Sequence, residues 1–283
     1  MNTYRTFTEW LLGNLDGLDA LVLDVDGVLM LNEKPLPGSH ALIACLRERN
    51  LPFGILTNTA NISVEERSAV LKSGGLVIEP GDITSSAHPL FELVKENGLA
   101  GSLFFVMGDL GRPCNAEKAG LRVTRSLSEL PDCKGVIVGE ENFEWEPVIN
   151  GVVNYLILNP QAPLIVPNPD FYFPTGPNRI RIASGGPSHL IQHILFQYGV
   201  SISPIFLGKP FRPIFAFNHQ RLEGRLGRSI EPHRVLMLGD SLAADVKGAI
   251  DFGYRTALVL TGVTSKEAFG RMGIRPDAVF ERL

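Results

Sequence analysis

Short apolar runs recur along this chain, and several stop abruptly at polar side chains. Leu21-Val22-Leu23 ends at Asp24, and Phe53-Gly54-Ile55-Leu56 ends at Thr57-Asn58. Ile205-Phe206-Leu207 ends at Gly208-Lys209-Pro210, and Val235-Leu236-Met237-Leu238 ends at Gly239-Asp240-Ser241. Unbroken apolar runs of this length suit strands covered on both faces. Elsewhere the spacing becomes helical: Leu42, Ile43 and Leu46 within 38–50, a stretch opening after Ser63 with Glu66 three residues on, and 243–251. Tyr254 to Leu260 reads as one more strand. Strands alternating with helices predict an α/β fold, a doubly wound, Rossmann-like parallel sheet.

The pattern is interrupted between the second and third of these strand ends. A further set of strands is expected at Leu103 to Met107, Gly135 to Val138, Leu164 to Val166 and Ile180 to Ile182, with helices between them. The stretch is also rich in proline, as in "VPNPDFYFPTGP". It reads as an inserted α/β domain over 80–204, dividing a core made of 1–79 and 205–283.

Composition narrows the function. With 283 residues, 45% of them hydrophobic, and a net charge of -4, the chain is an ordinary globular protein. No basic cluster or basic helix face supports nucleic-acid binding. "MNTYRTFTEWLLGNLDGLDAL" has one Arg and a broken apolar run, so it does not read as a secretory signal, and no segment suits a bilayer span. Three cysteines, Cys45, Cys114 and Cys133, lie far apart with no Cys-x-x-Cys, which suggests reduced thiols in a cytoplasm.

The polar strand ends supply the candidate chemistry. In open α/β sheets ligands sit beyond the carboxyl ends of the strands. Taken singly, Asp-x-Asp-Gly is a common turn and Gly-Asp-Ser a common helix start. Together, Asp24, Asp26, Thr57, Lys209 and Asp240 can act on a phosphate monoester. Asp24 would attack phosphorus, and Asp26 would protonate the leaving alcohol and then activate water. Lys209 and a Mg²⁺ held by Asp24 and Asp240 would offset like-charge repulsion, with Thr57 donating to the phosphoryl oxygens.

These residues resemble a known family. "DVDGVL", "ILTN", "GKP" and "GDSLAAD" are similar, in order and spacing, to the four motifs of the haloacid dehalogenase superfamily. The insert position, with "TSSAHP", "VPNPDFYFP" and "ALVLTGVTS", resembles the NagD-like, p-nitrophenyl phosphatase and phosphoglycolate phosphatase branch, which carries a type II-A cap. The resemblance implies that Asn58 joins Thr57 and Lys209 at the phosphate. It implies that Asp245 supports the metal-binding Asp240, and that the Asp26 carbonyl also meets the metal. An Asp at position 26 points to phosphatases and phosphomutases. Relatives with this cap often pair, so a homodimer is a further expectation. Pro167-Asn168-Pro169-Asp170 and Ser241 depart from the branch, which often has Thr-Asn-Pro-Asp and an Arg at these places.

In such relatives the segment matching 171–179 reaches down over the active site. Tyr172, Phe173 and Arg179 are therefore candidate specificity residues. Aromatic faces would favour a flat leaving group, and Arg179 an acidic one.

Rival readings are weaker. Gly239-Asp240-Ser241-Leu242 spells a serine esterase block, but no histidine follows His233 to activate Ser241. A non-catalytic capped phosphate-binding module would leave the clustered carboxylates uncompensated. Asp24-x-Asp26 lacks the later ligands of an EF-hand, and Ser203 stands where a Walker loop needs Gly. His189 and His193 lack a third metal ligand and read as ordinary helix residues.

Overall fold

The computed structural model describes residues 6–176 and 179–283. Residues 1–5, where the stretch read as lacking a secretory signal begins, and Pro177 and Asn178 of the aromatic segment lie outside the described residues. The chain divides into two compact units, one of Met1–Thr57, Val64–Thr84 and Lys209–Leu283, the other of Asn58–Ser63 and Ser85–Gly208.

The first unit begins with β1 (Ala20–Leu23), a small ribbon of β2 (Met30–Leu31) and β3 (Lys34–Pro35), then β4 (Phe53–Thr57) and β5 (Ile83–Ser85). The second unit contributes β6 (Leu103–Met107), β7 (Arg122–Thr124), β8 (Gly135–Val138), β9 (Leu164–Val166), β10 (Tyr172–Gly176), β11 (Arg179–Ile182) and β12 (Ile205–Phe206). The chain then completes the first unit with β13 (Val235–Gly239), β14 (Arg255–Val259) and β15 (Ala278–Phe280).

The first unit's sheet runs β15-β14-β13-β1-β4-β5, with parallel pairing from β15 through to β4. Its strand residues alternate between two cores, as the period of two requires. Leu21, Leu23, Phe53, Ile55, Leu236 and Leu238 face helices Phe7–Leu12, Ser39–Glu48 and Val64–Ser73, through Leu11, Leu42, Leu46 and Leu71. Ala20, Val22, Leu56, Val235 and Met237 face helix Arg212–Leu226, through Ile214, Phe215 and Leu222. Leu23 is in register with both Leu238 and Ile55, so the three central strands end within two residues of one another, at one edge of the sheet.

At the other end of β1, Asp19 is buried between two arginines. Arg234 donates from Nε to Oδ2 at 2.8 Å and from Nη2 to Oδ1 at 3.0 Å, and Arg228 Nη2 lies 2.8 Å from Oδ1. These partners, Arg234 first, hold the carboxyl well below the usual carboxylate range.

The second unit has its own parallel sheet, β12-β9-β8-β6-β7. One face packs Phe105, Val136 and Val138 against Val152 and Ile191 of helices Trp145–Leu158 and Gly185–Tyr198. The other packs Phe104, Val106 and Ile137 against Leu90 and Val94 of helix Pro89–Glu96.

One strand expectation needs correction. The run at 205–207 is not a core strand: Ile205 pairs with Ile165 and Phe206 with Val166, closing the second unit's sheet. An apolar run says that a strand is buried, not which sheet takes it. Ile180 to Ile182 is a strand, but it lies in a separate antiparallel ribbon with β10, outside the five-stranded sheet. All four β11 residues are exposed, so its Arg-Ile alternation covers no core face.

Candidate active site

The site is built where β1, β4 and β13 end. Asp24 continues the parallel pairing one step past β1, its N–H donating to Leu238 O at 3.0 Å, and it is buried. The chain then turns sharply. Val25 O accepts from Val28, Leu29 and Met30 N–H, Gly27 N–H donates to Met30 O at 2.7 Å, and Gly27 takes a φ of 82°. This turn leaves the Asp26 side chain 59% exposed, 3.5 Å from Arg67 Nη2.

Asp240 follows β13 into a cradle that only glycine permits. A Cβ on Gly27 would lie 2.3 Å from Asp240 Oδ2, and one on Gly262 would lie 1.8 Å from it. Val263 N–H donates to the same oxygen at 2.5 Å. The chain next makes a wide turn over Leu242–Val246, with Val246 N–H reaching Ser241 O at 3.1 Å. This turn folds Asp245 back over Gly239, where a Cβ would meet that of Asp245 at 2.2 Å. Asp245 Oδ2 there accepts N–H bonds from Asp240 (3.1 Å) and Ser241 (3.0 Å). Ser241 Oγ accepts the Ala244 N–H, the work of a helix cap.

Lys209 is buried among these groups. Nζ donates to Asp24 Oδ1 at 2.8 Å and to Leu56 O at 2.9 Å. It also lies 2.7 Å from Asp245 Oδ1, as an ion pair off the hydrogen-bonding direction, so that oxygen is buried without a directed donor. Burial alone would lower the Lys209 pKa, but Asp24 and Asp245 outweigh it and hold the ammonium above the ordinary lysine value. Asp24 is nevertheless pushed up to about 7, by burial first, with Lys209 opposing and Asp245 and Asp26 adding to the rise. Asp240 is also held well above the usual carboxylate range, by burial and then by Asp245 and Asp24. Both directions follow from the charge count: three buried carboxylates share one buried ammonium.

That imbalance fits a divalent cation. Asp24, Asp240 and Asp245 each offer one hard oxygen, and these atoms lie within 4.8 Å of one another.

The other expected residues are distributed differently. Thr57 is buried at the end of β4, one residue beyond the Leu56 carbonyl that accepts a hydrogen bond from Lys209 Nζ. Asn58 belongs to the second unit, where Nδ2 donates to Asp170 Oδ1 at 3.1 Å and its carbonyl accepts from Ser86 Oγ. Tyr172, Phe173 and Arg179 lie on the β10–β11 ribbon, with Tyr172 and Arg179 exposed and Phe173 half-buried. The ring of His189 stacks between Phe171, at 4.5 Å, and Phe206, at 5.3 Å. Arg67 escaped the sequence reading, because nothing local marks a helix residue whose partner lies far back in the chain.

Comparison with known proteins agrees with this geometry. A family profile described as haloacid dehalogenase-like hydrolase matches residues 21–122, and one described as HAD-hydrolase-like matches 206–283. A dihydroxyacetone phosphatase of Corynebacterium glutamicum (strain R) is 29% identical over 264 residues, 92% of this chain and 87% of that protein. The ribonucleotide monophosphatase NagD of Escherichia coli (strain K12) is 24% identical over 261 residues, 92% and 94% of the two chains. A solved structure from Cytophaga hutchinsonii ATCC 33406, described as a possible sugar phosphatase of the HAD superfamily, superposes with a TM-score of 0.82 at 27% identity, covering 96% of each chain.

The chain belongs to the haloacid dehalogenase superfamily, and NagD is among its relatives. It is a phosphatase acting on small phosphate esters. Among the described residues no helix is long and apolar enough to cross a membrane.

Proposed function

We propose that the chain hydrolyses phosphate monoesters of small metabolites in two steps, with Asp24 as nucleophile and Mg²⁺ as the cation. The observation that carries this reading is the buried Asp24 carboxylate, paired with Lys209 at 2.8 Å and facing Asp240 and Asp245. Asp24, Asp240 and the Asp26 carbonyl would hold Mg²⁺, with Asp245 fixing the Asp240 backbone through its N–H. When bound, the cation neutralises charge on the phosphoryl oxygens and the surrounding carboxylates.

An Asp24 oxygen attacks phosphorus while the bond to the leaving oxygen breaks, and Asp26 gives that oxygen its proton. Asp26, now a carboxylate, takes a proton from water. The water oxygen attacks phosphorus, the bond to Asp24 breaks, and inorganic phosphate leaves. Lys209 orients Asp24 throughout and opposes the charge that builds on the phosphoryl group, while Thr57 and Asn58 donate to its oxygens. The roles fit the contrast in burial: the nucleophile is fixed inside, and the proton carrier stands exposed.

Turnover of a chromogenic aryl phosphate by the purified protein, followed by a panel of sugar and nucleoside monophosphates, tests the reading. Activity on carboxylic esters without phosphatase activity would overturn it. The names of the relatives support sugar- and nucleotide-type substrates as the panel. The same reading places the protein in the cytoplasm, which its three free cysteines support, and pairs two copies.

Asp26→Asn separates the two carboxylates. Phosphorylation by an alkyl phosphate is expected to slow by about a hundredfold or more, the usual worth of general acid catalysis. An aryl phosphate, whose leaving group departs as an anion, should slow far less. Rapid-quench kinetics read both, and equal losses would remove the acid role.

In this reading the second unit is a type II-A cap that selects the leaving group, and the β10–β11 ribbon is its recognition element. Tyr172→Ala, Phe173→Ala and Arg179→Ala are each expected to change KM for the best substrate by about tenfold, equal to ~1.4 kcal/mol. They should reorder the substrate panel while hydrolysis of a minimal aryl phosphate survives. An unchanged ranking would reduce the three side chains to ribbon surface.

A further inference from the structure

Arg67 has no assigned part in the chemistry above. Its neighbourhood, Val64-Glu65-Glu66-Arg67-Ser68, has the charge of a solvated helix face. Yet its side chain is only 13% exposed, while that of its partner Asp26 is 59% exposed. This is unlike an ordinary surface pair, in which two solvated chains meet with little net gain. Here the cation is the buried member, and the exposed member is the carboxylate.

The backbone at Asp26 has little freedom. Three N–H bonds converge on Val25 O, Gly27 N–H is tied to Met30 O, and Thr261 Oγ1 donates to Gly27 O. The side-chain torsions are what remain. Among the described residues, Arg67 is the one cation within ion-pair distance of Asp26. Their separation of 3.5 Å exceeds the ~2.7–2.9 Å of a tight charge-assisted hydrogen bond, so the contact orients the carboxyl without locking it. A group that gives a proton to one oxygen and takes one from another needs that latitude.

We infer that Arg67 is a positioning residue, which holds Asp26 in the orientation from which it protonates the leaving oxygen and then activates water. The inference rests on the acid–base reading of Asp26. The plain alternative is an ion pair that only ties helix Val64–Ser73 to the turn after β1.

Rapid-quench phosphorylation rates of Arg67→Gln, Asp26→Asn and the double variant, each with an alkyl and an aryl phosphate, separate these cases. Arg67→Gln is expected to slow the alkyl phosphate by about ten- to a hundredfold, the range for a misplaced catalytic group, and to spare the aryl phosphate. In the double variant the loss should be no larger than in Asp26→Asn, since Arg67 then has nothing to position. Equal slowing of both substrates, or full additivity with Asp26→Asn, would overturn the inference and leave the tie between helix and turn. If Asp26→Asn itself slows both substrates alike, the acid–base reading falls and takes this inference with it. Should Arg67→Gln fail to fold, Arg67→Lys, which keeps the charge but loses the planar fork, is expected to show the same selectivity with a smaller loss. A folded Arg67→Lys without that selectivity would count equally against the role.

Discussion

Asp24→Asn is expected to lower the rate of phosphoryl transfer by about a thousandfold or more, equivalent to roughly 4 kcal/mol of barrier. The amide keeps the shape of the carboxylate but has no anionic oxygen to attack phosphorus. The loss should fall on kcat, because substrate binding through the remaining phosphate contacts persists. The variant should fold, since Lys209 retains Asp245 at 2.7 Å and the Leu56 carbonyl at 2.9 Å. Wild-type protein quenched during turnover should carry phosphate on Asp24, detected by intact mass and peptide mapping, and Asp24→Asn should carry none. Normal turnover by Asp24→Asn, with a dead Ser241→Ala, would transfer the nucleophile to the serine.

Removal of the cation should silence the enzyme just as completely, and the site's own charge predicts how the cation returns. Asp24, raised to about 7, holds its proton in the metal-free protein below that pH, and Asp240 is shifted in the same direction by burial and its carboxylate neighbours. A divalent cation needs the deprotonated oxygens and therefore competes with protons. Apparent Mg²⁺ affinity is expected to strengthen as pH rises through about 7 and to level off above it. Calorimetric titration at several pH values reads this without any substrate. Unfolding midpoints should agree: Mg²⁺ at a hundredfold over its dissociation constant should add about 2.7 kcal/mol of stability. Full activity in excess chelator, or an affinity flat across the neutral range, would exclude the cation from these carboxylates.

The sequence made the centre of the site legible because its residues follow buried strands. β1, β4 and β13 announce themselves as unbroken apolar runs, and their register carries Asp24, Thr57 and Asp240 to a common edge. Lys209 was reached by a different route than expected. Its motif marked the residue, but the preceding strand pairs with β9 in the other sheet, and pairing partners are not written in an apolar run. The helix read at 243–251 begins instead as a wide turn over Leu242–Val246, and this brings the Asp245 carboxylate back to two N–H groups. Hydrophobic spacing cannot distinguish such a turn from a regular one. Arg67 was illegible for the simplest reason: its partner Asp26 lies forty-one positions earlier, and its neighbours spell an ordinary charged helix.

The two carboxylates that bracket β1 put function and folding on opposite sides of the pH scale. Asp19 has two arginines to itself and a lowered pKa, so its contribution to stability is present above the ordinary carboxylate value of 3.8 and is lost as acid drives the pH below it. Asp24, with its raised pKa, behaves oppositely. The stability gained from its neutral form is fully present below 3.8 and disappears as pH rises through about 7. Both of these carboxylates favour the fold in mild acid, where Asp19 is charged and Asp24 is not. The nucleophile is charged only where its own contribution to stability has been lost. One strand thus carries a clamp at its start and a loaded spring at its end, and binding the cation lets the protein keep the spring loaded at neutral pH.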